Sequence, residues 1–184
     1  MKKILLMAAV LLSSVGAFAQ HEVGSINIQP KVGLNLANVT EVSDSKMRPA
    51  FVAGAELEYQ ATDLLSLSAG LLYSQQGYKL ESKDAHTTVT TEWKPAYLNI
   101  PIMANVYVAQ GLAVKLGVQP GFMVDKNDAK NVKTFDFSIP VGLSYEFNNI
   151  QIDGRYNWGL TKLGENWDAK NSVLQFTVAY KFAL

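Results

Sequence analysis

The chain has 184 residues, 16 Lys+Arg against 16 Asp+Glu, no cysteine, and 48% hydrophobic residues. Balanced charge excludes the one-sign field with which proteins attract nucleic acid or an anionic surface. The absence of cysteine excludes a disulfide scaffold and the lipid-accepting thiol of a lipoprotein, and the length points to one domain.

The first nineteen residues, MKKILLMAAVLLSSVGAFA, carry two lysines, an apolar run from Ile4 to Leu12, and small residues ending in Ala17-Phe18-Ala19. This is the pattern of a secretory signal peptide with an A-x-A cleavage site. Its apolar run falls short of the roughly 18 residues that a membrane-anchoring helix needs. Residues 1–19 are therefore expected to be a signal peptide removed after Ala19, and residues 20–184 the mature domain. Loss of Lys2 and Lys3 leaves 14 of the 16 basic residues, against 16 acidic ones.

The mature chain shows no convincing helical period. Alternation at period 2 predicts eight strands instead. The first carries Ile26, Ile28, Val32, Leu34 and Leu36; the second Phe51, Ala53, Ala55, Leu57 and Tyr59; the third Leu65, Leu67, Ala69, Leu71 and Tyr73. The fourth runs through Leu98, Ile100, Ile102, Ala104, Val106 and Val108, and the fifth through Leu112, Val114, Leu116, Val118, Phe122 and Val124. The stretch FDFSIPVGLSYEFNNIQIDGRYNWGL supplies the sixth, from Phe135 to Phe147, and the seventh, from Ile150 to Leu160, around Asn148-Asn149. The eighth holds Leu174, Phe176, Val178, Tyr180, Phe182 and Leu184.

The opposite faces hold Gly, Ser, Asn and Gln together with Lys31, Glu56, Glu58, Lys115, Asp136, Glu146, Asp153, Arg155 and Lys181. Val52, Leu72, Met103 and Met123 are apolar exceptions on that polar face. Short links near 60–63, 109–111 and 148–149 alternate with long polar ones near 38–49, 77–93, 126–133 and 161–171. Tight hairpins thus gather at one end of the strands and long loops at the other.

Alternation alone leaves the direction of the apolar face open. Pointed inward, as in a soluble ligand-binding barrel, it would have to fit thirteen Phe, Tyr and Trp residues into an eight-stranded interior barely wide enough for side chains. Pointed outward, it meets lipid, and a closed barrel satisfies every backbone hydrogen bond in the bilayer. The expected fold is all-β, an eight-stranded antiparallel up-and-down transmembrane β-barrel. Tyr59, Tyr73, Phe147, Trp158 and Phe182 are expected at the membrane interfaces, and Trp93 and Trp167, beside long loops, as further anchors there. The nine charged residues are expected to form a luminal cluster whose four basic and five acidic members pair with one another instead of forming a one-sign filter.

The segments KVGLNLANV, LSLSAGLLYSQQGYKL, YLNIPIMANVYV, GVQPGFMV and VAYKF, in that order across the mature chain, resemble the PorT-like outer-membrane β-barrel proteins of the Bacteroidetes type. The resemblance implies an eight-stranded barrel in the bacterial outer membrane, brings no catalytic residue set, and associates some relatives with protein secretion or surface assembly. The terminal Tyr180-Lys181-Phe182 resembles the aromatic end read by barrel-insertion machinery.

Chemistry-bearing motifs are sparse. His21 and His86 are the two histidines, and neither sits in a Ser-His-carboxylate pattern on a strand. Asp125-Lys126-Asn127-Asp128 clusters oxygen ligands but lacks the glycine and distal glutamate of a calcium loop. Asn38-Val39-Thr40 matches a glycosylation triplet and carries little weight in a bacterial-type exported chain. The expectation is a non-enzymatic outer-membrane protein, without cofactor or metal, in a structural or surface-interaction role, its lumen plugged and its long extracellular loops the contact surface. Expected partners are outer-membrane lipids, periplasmic chaperones and insertion machinery during biogenesis, and an extracellular or secretion-related protein. Nucleic acid is not among them, and the chain is expected to be a monomer. A narrow solute channel and a lipid-modifying enzyme are the rivals.

Overall fold

The computed structural model describes residues 21–40, 45–84, 87–126, 132–164 and 168–184. The signal-peptide segment, His86, Trp167 and the Asn127-Asp128 part of the oxygen-rich loop lie outside the described residues.

Eight strands form a closed antiparallel barrel: β1 (Ile26–Val39), β2 (Arg48–Gln60), β3 (Leu65–Gln75), β4 (Ala96–Asn99 continued by Ile102–Ala109), β5 (Leu112–Asp125), β6 (Phe135–Phe147), β7 (Ile150–Lys162) and β8 (Lys170–Tyr180). Each strand pairs with its sequence neighbours, and β8 returns to β1 in antiparallel register, with Lys31 opposite Ala179. β6 has 13 residues, and at about 3.3 Å per residue and about 40° of tilt it rises roughly 33 Å, enough for the ~25 Å apolar band of an outer-membrane barrel.

Alternation sets the two faces. Along β6, Val141, Leu143, Tyr145 and Phe147 are exposed while Ser138, Ser144 and Glu146 are buried. The exposed set around the barrel is almost wholly aliphatic and aromatic, and 28 polar or charged residues are buried among the described residues, the inverse of a soluble protein. The lumen, not an apolar centre, is what the barrel encloses. Neighbouring strands approach closely where glycines replace larger residues. At Gly33 a Cβ would come within 1.9 Å of the Phe176 carbonyl oxygen, and at Gly54 within 2.1 Å of that of Leu71.

Tight connections follow the turn chemistry. Asn148, at φ 54°, and Gly111, at φ 77°, supply the left-handed residues of the β6–β7 and β4–β5 turns, a conformation that Asn and Gly adopt most readily. At the opposite end the stretch 77–93, expected as a loop, contains a hairpin of its own: Tyr78–Asp84 pairs with Thr87–Trp93, and Ser45–Lys46 pairs with the first of these. This outer hairpin prolongs β3 and β4 beyond the barrel. By the rule that outer-membrane barrels carry short turns on the periplasmic side and long loops outside, the hairpin end is the expected extracellular one.

The ladders have gaps where prolines remove donors. β1 pairs with β8 from Lys31 onward and with Phe182–Ala183 at Asn27 and Ile28, and the gap between falls at Gln29-Pro30. The β5–β6 register skips Ile139-Pro140, and β4 breaks at Ile100-Pro101.

Candidate functional site

The nine sequence-predicted charges all point into the lumen and are at most 6% exposed. Strand order places Lys31 on β1, Glu56 and Glu58 on β2, Lys115 on β5, Asp136 and Glu146 on β6, Asp153 and Arg155 on β7, and Lys181 just past β8. Eight of them lie in the periplasmic half. Only Asp136 is near the extracellular end.

The central group is a chain of ion pairs running across the lumen. Lys31 Nζ lies 2.7 Å from Glu56 Oε2, and Arg155 Nη2 lies 2.8 Å from Glu56 Oε1. Arg155 Nε donates to Asp153 Oδ1 at 2.9 Å, and Lys115 Nζ donates to Asp153 Oδ2 at 2.8 Å. Walls β1, β2, β7 and β5 are thereby tied through one guanidinium, whose planar fork presents separate N–H groups to two carboxylates at once.

Below it, Lys181 Nζ bridges Glu58 Oε2 at 2.9 Å and Glu146 Oε2 at 2.6 Å. Glu58 also accepts from Tyr107 at 2.7 Å, from Ser66 and from Gln29. His21 Nε2 sits 2.8 Å from Glu146 Oε1. The segment before β1, anchored by the Gly24 N–H on the Gln60 carbonyl at 2.8 Å, brings His21 to the end of β6 beside a polar recess lined by Gln110, Asn148 and Asn149. The periplasmic end is thus covered by the chain's own N-terminal segment.

The extracellular end is organised differently. Asp136 accepts a hydrogen bond from Asn171 at 3.2 Å, and Asn171 also reaches the Tyr97 hydroxyl at 3.3 Å. In the same half Ala37, Val52, Leu72 and Val173 are buried. Over the opening, Val39, Leu163 and Ala169 form a small apolar cluster against which Tyr78 and Trp93 of the outer hairpin pack. Trp93, expected at the membrane interface, is therefore part of a lid, with its indole N–H donated to the Lys126 carbonyl at 2.9 Å. Beside the lid Glu92 meets Lys79 at 2.8 Å and Lys94 at 2.9 Å. Hydrogen bonds first from Lys79 and then from Lys94 hold the Glu92 carboxyl down at about 2.

Sequence reading missed Arg48, Tyr97 and Tyr107 as luminal residues. Arg48 donates to the Gln76 carbonyl at 2.7 Å and lies 3.8 Å from Glu92 at the mouth. Arg48 precedes the apolar run of β2, but its even number puts it in phase with Glu56 and Glu58, and this was the available signal. On the outer surface Tyr59, Phe147 and Phe182 lie toward the short-turn end and Tyr73 and Trp158 toward the loop end, all at least 40% exposed. The rings of Tyr180 and Phe182 contact one another in a tilted arrangement, with centroids 4.6 Å apart. Among the described residues no group of three or more His, Asp or Glu side chains is placed to hold a metal ion.

Residues 18–165 match the family model described as outer membrane protein beta-barrel domain. The chain belongs to that family. Family membership and the barrel together place it in the bacterial outer membrane, in contact with lipid. The fold is similar to that of Ail, the attachment invasion locus protein of Yersinia pestis. Its backbone structure in a phospholipid bilayer nanodisc aligns at TM-score 0.55 and 15% identity over 86% of this chain and 99% of Ail. Its crystal structure aligns at TM-score 0.53 and 15% identity over 88% and 100%. No curated protein sequence matches the chain. At this identity the similarity shows the fold of the family member and leaves its role to its own residues.

Proposed function

We propose that this barrel is a closed, monomeric, non-enzymatic outer-membrane protein whose extracellular hairpin and loops are a contact surface for a protein partner. The observation that carries the reading is the ion-pair chain from Lys31 through Glu56, Arg155 and Asp153 to Lys115. Opposite charges at such distances in a low-dielectric interior pair instead of staying hydrated, which disfavours an aqueous path along the axis. The PorT-like resemblance adds the proposal that the partner belongs to secretion or surface assembly. Cleavage after Ala19 is part of the same reading, because the mature chain then begins one residue before the His21 that covers the periplasmic end.

The test is conductance. Purified protein in a planar bilayer should show no stable open level, and Arg155→Ala should introduce flicker by removing the shared guanidinium. Reproducible ohmic steps from the unaltered protein would replace this reading with the channel.

A further inference from the structure

Near the extracellular end one level of the lumen gathers polar side chains from β4, β6 and β8. The registers set Asn99 of β4 opposite Gly121 of β5, and Gly121 opposite Asp136 of β6. All three positions are buried on the luminal face, so only a glycine separates the two polar side chains. A Cβ on Gly121 would collide with Asn99 Oδ1, and the other nearest atoms to that point are Asn99 Cγ and the main-chain oxygen of Asp136. Asn99 therefore leans its amide oxygen over the glycine, into the gap before Asp136.

Asn171 closes the group from β8. Its Nδ2 donates to Asp136 Oδ2 at 3.2 Å and to the Tyr97 hydroxyl at 3.3 Å. Those two contacts fix which way the amide faces. Its Oδ1 is left without a hydrogen-bond partner among the described residues, and so is Asp136 Oδ1. Asp136 is 6% exposed and Asn99 and Asn171 are each 2% exposed. A buried carboxylate without a counter-charge is costly, and so is a buried amide oxygen without a donor. One positive charge among these oxygens answers both.

The geometry points to a site for one monovalent cation, formed by Asp136, Asn99 and Asn171 and entered from the extracellular mouth. Charge selects the valence. The three side chains supply one negative charge, so a singly charged ion leaves the site neutral. A divalent ion would leave net positive charge buried, which calcium sites avoid by using several carboxylates. The donors are all oxygens, which suit hard cations. Sodium, potassium and the primary ammonium of an organic ligand share this chemistry. The lower lumen offers no equivalent, because Glu56, Glu58, Glu146 and Asp153 each already meet a Lys or Arg. A site at one end needs no path along the axis, so the proposal goes beyond the closed-lumen reading and does not depend on it.

Nitrogen-15 labelled protein in phospholipid nanodiscs at pH 7 provides the test. It is titrated with sodium, potassium or methylammonium chloride while choline chloride holds the ionic strength constant. The side-chain amide resonances of Asn99 and Asn171 should move saturably with at least one of these salts, while that of Asn105, in the lower lumen, stays in place. Saturation by sodium or potassium alone supports the site and assigns an alkali ion. Tighter saturation by methylammonium supports it and assigns an amine-bearing ligand. Asp136→Asn, which removes the charge and keeps the volume, should weaken saturation about tenfold or more. Movement with none of the salts, or movement unchanged in Asp136→Asn, overturns the site. Calcium saturating at about tenfold lower concentration than every monovalent salt overturns the valence. Should Asp136→Asn fail to fold, the Asp136 side-chain carboxyl carbon resonance of the unaltered protein decides. It should move over the same salt concentrations, and a resonance fixed at the protonated position overturns the site.

Discussion

The two halves of the lumen solve the same packing problem with different chemistry. On the periplasmic side, Arg155, Lys31, Lys115 and Lys181 interlock with Glu56, Glu58, Asp153 and Glu146, and nearly every contact is between charges on different strands. On the extracellular side Leu72, Val52, Ala37 and Val173 mix with amides such as Asn35, Gln76, Asn99 and Asn171, with Arg48 at the mouth, and one carboxylate, Asp136, receives an amide hydrogen bond and no ion pair among the described residues. The difference teaches where specificity resides. Ion pairs fix the register of the strands that bear them, since each charge has one acceptable height, whereas apolar groups of similar size exchange places at small cost.

Breaking the charged half should have the largest effect. Arg155→Ala leaves Glu56 and Asp153 each short of a partner, and the loss is expected to be about 3–5 kcal/mol. Reversible unfolding from lipid vesicles measures it, and a loss below that of Leu72→Ala would erase the contrast between the halves. Leu72→Ala, in the extracellular half, should cost about 2–4 kcal/mol through the lost methyls and the cavity they leave, read in the same titration. Asp136→Asn sharpens the comparison from the other direction. It removes a buried charge that has no cation among the described residues, keeps the volume, and should leave stability within about 1 kcal/mol of the starting protein or above it. A large loss would show that Asp136 belongs to the charged design after all.

The smallest effect is one of pH, outside the lumen. Glu92 is held at about 2 by Lys79 and Lys94, below its ordinary carboxylate value. A depressed acid contributes stability that is present above its unfolded value and is lost as pH falls through the folded one. The lid contacts of Tyr78 and Trp93 should therefore be unchanged from pH 7 to 5 and loosen only between about 4.5 and about 2. Trp93 fluorescence and carboxyl chemical shifts on acidification follow this directly, and a transition near neutrality would implicate another group.

Much of this architecture was legible before any coordinates. Period-2 alternation in FDFSIPVGLSYEF marks both ends of β6 and says which residues share a face, because that period is imposed by the backbone itself. The outer hairpin escaped for the same reason. YKLESKD and TTVTTEW carry no continuous apolar face in the sequence, and strands without such a face give no period-2 hydrophobic signal. The luminal charges were legible as a set, but their partners were not. Glu56 meets Arg155 across 99 residues of sequence, and such a pair depends on how far the strands are staggered around the barrel.

The gap at Gln29-Pro30 bears on the order of assembly. The β6–β7 hairpin closes a two-residue turn over a ladder unbroken from Ser138 to Phe147, so its loop-closure entropy is small and it is suited to nucleate early. The β1–β8 interface joins the two ends of the domain and has the greatest entropy to overcome. Its continuous rungs begin at Lys31 and run to Val39, while the terminal Phe182–Ala183 pairing lies beyond the proline gap. Closure is therefore expected to start on the continuous rungs between Lys31 and Val39, with the Phe182–Ala183 pairing added after them.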